Sequence, residues 1–259
     1  MKCQEIITIL RKQAPEHYAC DWDNVGLLVG DSQKEVQKIY IALDATEETI
    51  KEAIEQKADM LLTHHPMIFK GLKKVNTEDF IGKRVMSLIR ADVAYYAMHT
   101  NFDVKGMAEL AAERMGLKDC QVLEATCEDE EGLQGIGKVG MLPAMEVREC
   151  AELVKRAFHL EQVKVFGDLN ARITKAAICP GSGKSVIGKA LESGAQVLIT
   201  GDIDHHEGID AAAQGMAVID AGHYGIEKIF IPYMKQYLEK NTEGVTILEQ
   251  PEKHPFVYI

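Results

Sequence analysis

Two stretches of this chain align with each other without a gap, and that internal match constrains the fold more than any other feature. KIYIALDATEETIKEAIEQKADMLLTHH, from Lys38 to His65, lies over KAAICPGSGKSVIGKALESGAQVLITGD, from Lys175 to Asp202. At one constant offset Ile41 falls on Ile178, Ile50 on Ile187, Ala53 on Ala190 and Glu55 on Glu192. Ala58 likewise falls on Ala195, Leu61 on Leu198 and Thr63 on Thr200. The shared positions are mostly those a core uses, and a polar threonine recurs at the same strand end. In the first copy KIYIALD reads as a strand, Glu47 to Gln56 as a helix with Thr46 as its N-cap, and DMLLT as a buried strand. Strand, helix, strand at this cadence predicts parallel sheets with helices on their faces, and its recurrence predicts an internal duplication.

The remaining pattern extends the theme. Cys3 to Lys12 carries Ile6, Ile7 and Leu10 at helical spacing, Glu78 to Arg90 reads as a helix, VAYYAM as a strand, and Gly106 to Met115 as a helix closed by Gly116. The acidic, glycine-bearing stretch Cys120 to Gly135 interrupts the rhythm, so the division expected is residues 1–124 and 125–259, with the last strands able to return to the first part. The fold class expected is α/β: two related three-layer α/β domains with mostly parallel sheets. With 259 residues, 46% of them hydrophobic, the chain can bury cores of that size.

Charge narrows the function. A net charge of −11 argues against a non-specific nucleic-acid binder, which needs a basic footprint. No apolar run approaches the roughly 18–20 residues of a membrane span, and the N-terminal stretch has no secretory pattern. The six cysteines are scattered without a C-x-x-C, which suits reduced thiols and a cytoplasmic protein.

Chemistry-bearing residues gather after the predicted strands, where open parallel sheets bind ligands. His64 and His65 follow DMLLT, and His99 and Asp103 follow VAYYAM. Asp202, Asp204, His205, His206 and Glu207 follow QVLIT. His223 and Glu227 follow MAVID, with i, i+4 spacing that puts both on one face of a helix spanning GHYGIEKIFIPYMKQYL. Imidazole and carboxylate without paired thiols suit a divalent Zn, Fe, Mn, Ni or Co ion rather than a cysteine-rich structural zinc. Adjacent His64 and His65 diverge on a regular strand, so in an irregular turn they would serve two neighbouring ions, with Asp103 or Glu227 as the bridging carboxylate. Other features read more blandly: Trp22 as core, His205 as a solvated loop residue, and Phe230, Tyr233, Met234 and Tyr237 as a packed helix face. PGSGKS lacks the first glycine of a nucleotide-triphosphate loop, because Ile178 stands there.

DWDNVGLLVGD, LLTHHP, MHTNFD, TGDIDHHE and VIDAGHYGIEKI together resemble the signature segments of the NGG-interacting-factor-three-like family, whose members carry the name GTP cyclohydrolase 1 type 2 homologue. The resemblance spans nearly the whole chain. It implies two α/β domains with a dinuclear metal centre in the cleft between them, and assembly of subunits into a hexamer. Carried over position by position, it puts metal ligands at His64, His65, Asp103, His223 and Glu227, hence two divalent ions per chain. His99 and His206 match further polar positions of the family cavity and are the candidates for catalytic proton transfer. The activity implied is that of a dinuclear metal-dependent hydrolase acting on a small molecule, with ring opening of GTP as the reaction. The same ligands would equally serve a non-catalytic metal-binding assembly or interaction protein.

Overall fold

The computed structural model describes every residue except Tyr258. Contacts divide the chain into two compact units, Met1–Phe102 with Phe230–Glu252, and Asp103–Ile229 with Lys253–Ile259. In the first, helix α1 (Cys3–Gln13) and strand β1 (Gly26–Val29) precede β2 (Lys38–Asp44), α2 (Glu47–Glu55), β3 (Met60–His65), α3 (Phe80–Arg90), β4 (Ala94–Ala97) and the single turn α4 (Thr100–Phe102). The second contains α5 (Ala108–Met115), β5 (Lys118–Asp129), β6 (Gly132–Glu146), α6 (Val147–Phe158), β7 (Lys164–Phe166), β8 (Arg172–Ser182), α7 (Ile187–Glu192), β9 (Val197–Gly201), α8 (His205–Ala213), β10 (Ala217–Asp220) and α9 (His223–Glu227). The chain then returns to the first unit through α10 (Phe230–Asn241) and β11 (Thr246–Glu249).

Local chemistry accounts for these elements. Ile6, Ile7 and Leu10 are the buried face of α1. Thr46 caps α2 by accepting from the Thr49 amide. Residues Ile39 to Leu43 of β2 and Met60 to His64 of β3 are buried without a break, as strands covered on both faces must be.

The first sheet runs β1-β4-β3-β2-β11, parallel except where β1 meets β4. The second runs β5-β6-β8-β9-β10-β7, and there only β8–β9 and β9–β10 are parallel. The expectation of mostly parallel sheets is therefore corrected: both sheets are mixed, and the second is largely antiparallel. The cause is the segment that sequence reading took for a break. Residues 118–146 form a long antiparallel hairpin whose turn is the acidic run, with Asp129 opposite Gly132 and the Asp129 carboxylate accepting from the Glu131 amide. The boundary expected at 124–125 falls inside β5, while contacts divide the chain at 102–103.

The internal match survives as geometry. Across β2–β3, Ile39 faces Met60 and Ile41 faces Leu62; across β8–β9, Ala176 faces Val197 and Ile178 faces Ile199, the same pairs at the same offset. Strand order β1-β4-β3-β2 recurs as β7-β10-β9-β8, each beginning with an antiparallel edge strand. Polar details recur as well. The Asp59 carboxylate accepts from the amides of Gln37 and Lys38, and the Gln196 side-chain oxygen accepts from those of Thr174 and Lys175.

Each edge strand is also followed directly by Gly-Asp. Gly30 and Gly167 have φ of +107° and +104°, and a Cβ on either would lie 2.8 or 3.2 Å from the Cα of Ala94 or Ala217. Both edge strands therefore press backbone to backbone against the start of the next strand. Gly30→Ala and Gly167→Ala should each cost about 1–3 kcal/mol in chemical denaturation, with Gly30→Ala the worse. Unchanged midpoints for both would show that the two edges are not equivalent constraints.

Candidate metal centre

In the first unit the imidazoles stand where β3 and β4 end. His64, completely buried, gives its Nδ1 to the Met98 carbonyl oxygen at 2.7 Å. A carbonyl only accepts, so a proton sits on Nδ1, and in the neutral ring Nε2 keeps its lone pair. His65 Nδ1 meets the Asp44 carboxylate at 2.8 Å, and His99 Nδ1 meets that of Asp23 at 2.9 Å. Burial opposes ionisation of Asp23, but hydrogen bonds from His99 and Thr100 outweigh it and bring its carboxyl down to about 2. Asp23 is thus a carboxylate at neutral pH, and His99 Nδ1 donates to it. One ring nitrogen from each of His64, His65 and His99 lies within 4.8 Å of the others. Phe102 and Phe230 pack their rings on His64, with centroids 6.3 and 5.3 Å away, and shut that side of the ring in apolar surface.

The second unit shows the same device on a helix. His223 and Glu227 lie one turn apart on α9, with Nε2 and Oε2 at 3.0 Å, as the i, i+4 spacing predicts. His223 Nδ1 is 2.8 Å from the Asp202 carboxylate. An imidazole flanked by two carboxylates needs a cation in the arrangement, either a proton or a metal ion. Glu227 is only 2% exposed. Asp103 opens a single π turn, Asp103–Met107, a distortion often found at functional sites. Burial raises the Cys179 thiol pKa far above its ordinary value, and the negative charges of Asp103 and Glu227 push it the same way. A cavity of about 880 Å³ opens at His223 within this unit, with Ser182, Lys184, Asp202, Asp220 and Tyr224 among its walls.

Several expectations shift. The helix read from His223 onward is two helices, α9 and α10, interrupted after Glu227. Trp22, expected in the core, is 65% exposed, and its ring stands edge-on to His99 at 5.9 Å. His205 is the first residue of α8 rather than a loop residue, and is exposed. His206 is also exposed, against the His205 ring, and does not line the cavity at His223. The sequence pattern does not reveal Asp23, Asp44 and Asp202 as acceptors for the histidines, although Asp44 ends KIYIALD and Asp202 follows QVLIT. His99 was read as a proton carrier, but its proximity to His64 and His65 equally gives it the placement of a ligand.

The donor set is what a divalent first-row ion takes: imidazoles with Nδ1 tied to oxygen, which fixes the tautomer, and carboxylates. The fold defines an α/β protein of two mixed sheets that brings such donors to its strand ends. The sequence profile of the Duf34/NIF3 (NGG1p interacting factor 3) family matches residues 1–255, and the chain belongs to that family. The "GTP cyclohydrolase 1 type 2 homolog" of Clostridium perfringens (strain 13 / Type A) is 37% identical over 264 residues, covering 100% of both chains. The protein of that name from Lactococcus lactis subsp. lactis (strain IL1403) is 36% identical and covers 99% of both. Among solved structures, a Bacillus cereus protein related to NIF3 superposes with a TM-score of 0.93 at 26% identity, over 100% of this chain and 99% of that one. Reduced HcgD from Methanocaldococcus jannaschii superposes with a TM-score of 0.84 at 31% identity, over 96% and 97%.

Glycine at 181 makes room for the acid. Its φ is +74°, and a Cβ there would lie 2.5 Å from Glu227 Oε1 and 3.7 Å from His223 Nε2. Gly181→Ala should therefore lower stability by about 1–3 kcal/mol, whereas Gly188→Ala, with nothing within 4 Å of the added carbon, should not. Equal denaturation midpoints for the two variants would contradict this packing.

Proposed function

We propose that the chain is a metal-dependent hydrolase that binds two divalent ions through His64, His65, Asp103, His223 and Glu227. The observation that carries this reading is the common second contact of the imidazoles: His64, His65 and His223 each give Nδ1 to an oxygen, which leaves Nε2 as the coordinating atom. Ions held there would polarise the bond under attack and acidify water.

The substrate we propose is a purine nucleotide, GTP first, in keeping with the name the curated relatives carry. Water adds at the imidazole carbon of the base, and one carbon–nitrogen bond of that ring opens. His99 is the group that moves the proton. Its Nδ1 is anchored on the ionised Asp23, so Nε2 is the atom that gives or takes it, and the carboxylate stabilises the ring when it is charged. His206, exposed on α8 against the His205 ring, has no such carboxylate anchor among the described residues and does not take this role.

Elemental analysis of protein purified without added metal, followed by incubation with GTP, tests the reading. The wild type should carry close to two ions per chain, and Glu227→Gln should carry fewer while remaining folded. In this reading His99→Ala keeps close to two ions, which separates a proton carrier from a ligand at that position, and loses roughly 10²–10⁴-fold in turnover. A metal-free wild-type protein would sink the metal reading, and a fully loaded one that turns over neither GTP nor another nucleotide would favour the non-catalytic alternative. We also propose the hexamer: light scattering should give a mass several times that of one 28.7 kDa chain, and a mass near a single chain rejects it.

A further inference from the structure

The first unit carries a second feature beside its imidazoles. Loop residues 66–79 between β3 and α3 and the start of α3 line an open cavity of about 530 Å³, whose walls include Phe69, Lys70, Lys73, Lys74, Phe80 and Ile81. That volume lies within the range of about 300–1,000 Å³ that small-molecule sites occupy. Lys34, Lys51 and Lys83 of the same unit pair with carboxylates. Lys70, Lys73 and Lys74 are exposed and pair with none among the described residues. The one acid in the cavity wall, Asp79, is occupied in capping α3, where it accepts from the Gly82 amide at 2.7 Å. In a chain of net charge −11, three unpaired cations lining one pocket make a local concentration of positive charge.

Phe69 joins this cavity to the imidazole cluster. It lines the cavity, is 51% exposed, and stands edge-on to His99 with centroids 5.9 Å apart. Trp22 stands edge-on to the same imidazole at the same distance. The two loops that carry these rings are tied together, since Asn24 Nδ2 donates to the Ile68 carbonyl oxygen at 2.6 Å. Two large rings left in water beside the same imidazole are poorly explained by packing, and each offers a flat face to a planar ligand.

We propose that Trp22 and Phe69 form an aromatic rim that stacks the heteroaromatic ring of a mononucleotide, while Lys70, Lys73 and Lys74 hold its phosphate arm. This rests on the reading of the imidazole cluster as the reaction centre, and it assigns the recognition to residues outside the ligand set. The cavity holds the phosphate by charge, and lysine, a compact and mobile point charge, imposes little geometry on it. The ring is chosen by its flat face, so the rim discriminates aromatic from aliphatic phosphates more strongly than one base from another.

Trp22 is the only tryptophan in the chain, so its fluorescence reports the stacking directly. The test titrates the full-length chain as purified, with its metal content measured on the same sample, against guanosine 5′-monophosphate, guanosine and inorganic phosphate. The monophosphate should quench Trp22 emission. The triple variant Lys70→Ala/Lys73→Ala/Lys74→Ala should raise its Kd at least tenfold and leave that of guanosine unchanged, whereas Phe69→Ala should raise both. Wild-type affinity in the triple variant overturns the proposal, and so does an unquenched Trp22. Tighter binding of a twelve-residue oligonucleotide than of the monophosphate overturns it in favour of an extended strand. Because these readouts follow Trp22 and the lysines, a metal-poor sample that still shows them would count against the metal reading alone.

Discussion

His64 gives its Nδ1 to the Met98 carbonyl oxygen deep in the first unit, and the register of the sheet is what delivers that oxygen. Thr63 faces Ala97 across β3–β4, and the Met98 amide then donates to the Thr63 carbonyl oxygen. The pairing thus ends with Met98 held beside the histidine that follows Thr63. A completely buried imidazole without such a partner would cost about 1–3 kcal/mol, so the hydrogen bond is a condition for placing His64 there at all. It also fixes the tautomer and so decides which nitrogen can act as a base or ligand. His65 and His99 repeat the arrangement with carboxylates in place of the carbonyl, and a charged acceptor holds the ring more firmly.

The repeated topology explains why similar chemistry stands at two strand ends. Ala221 donates its amide to the Thr200 carbonyl oxygen just as Met98 does to that of Thr63. Beyond that point the copies diverge. The first follows its threonine with His64 and His65, placing imidazoles on the strand itself. The second follows with Gly201 and Asp202. A Cβ at Gly201 would lie 2.7 Å from the His223 amide nitrogen, so the bare glycine lets the start of α9 approach the strand. Asp202 then accepts from His223, and the imidazole arrives from the helix. One topology therefore carries its imidazoles on the strand in one copy and, in the other, on the helix that follows the neighbouring strand β10.

Much of this is legible in the sequence. The repeated core positions announced the strand–helix–strand units, because buried parallel strands leave little freedom in residue type. Thr46 announced the cap of α2, and the spacing of His223 and Glu227 announced their contact. The hairpin 118–146 was not legible. Much of it is half-exposed or exposed, so its alternation is weak, and its acidic turn looks like a linker. The Asp23–His99 and Asp44–His65 contacts span 76 and 21 residues, and no local pattern encodes pairs so far apart. Trp22 misled for a different reason. Hydrophobicity argues for burial on average, and a ring that the fold leaves exposed beside a polar cluster breaks that average.

Metal binding by these imidazoles turns on the protonation of their ring nitrogens, which nitrogen-15 NMR of the histidine side chains in chelator-treated protein observes directly. His64, His65 and His99 should each appear with the proton on Nδ1 and a bare Nε2, held in that tautomer rather than averaging between the two. His223 should likewise carry a proton on Nδ1. Protons on Nε2 with bare Nδ1 at His64 and His65, or rapid exchange between tautomers there, would contradict the claim that the fold presents these imidazoles ready to bind a metal ion.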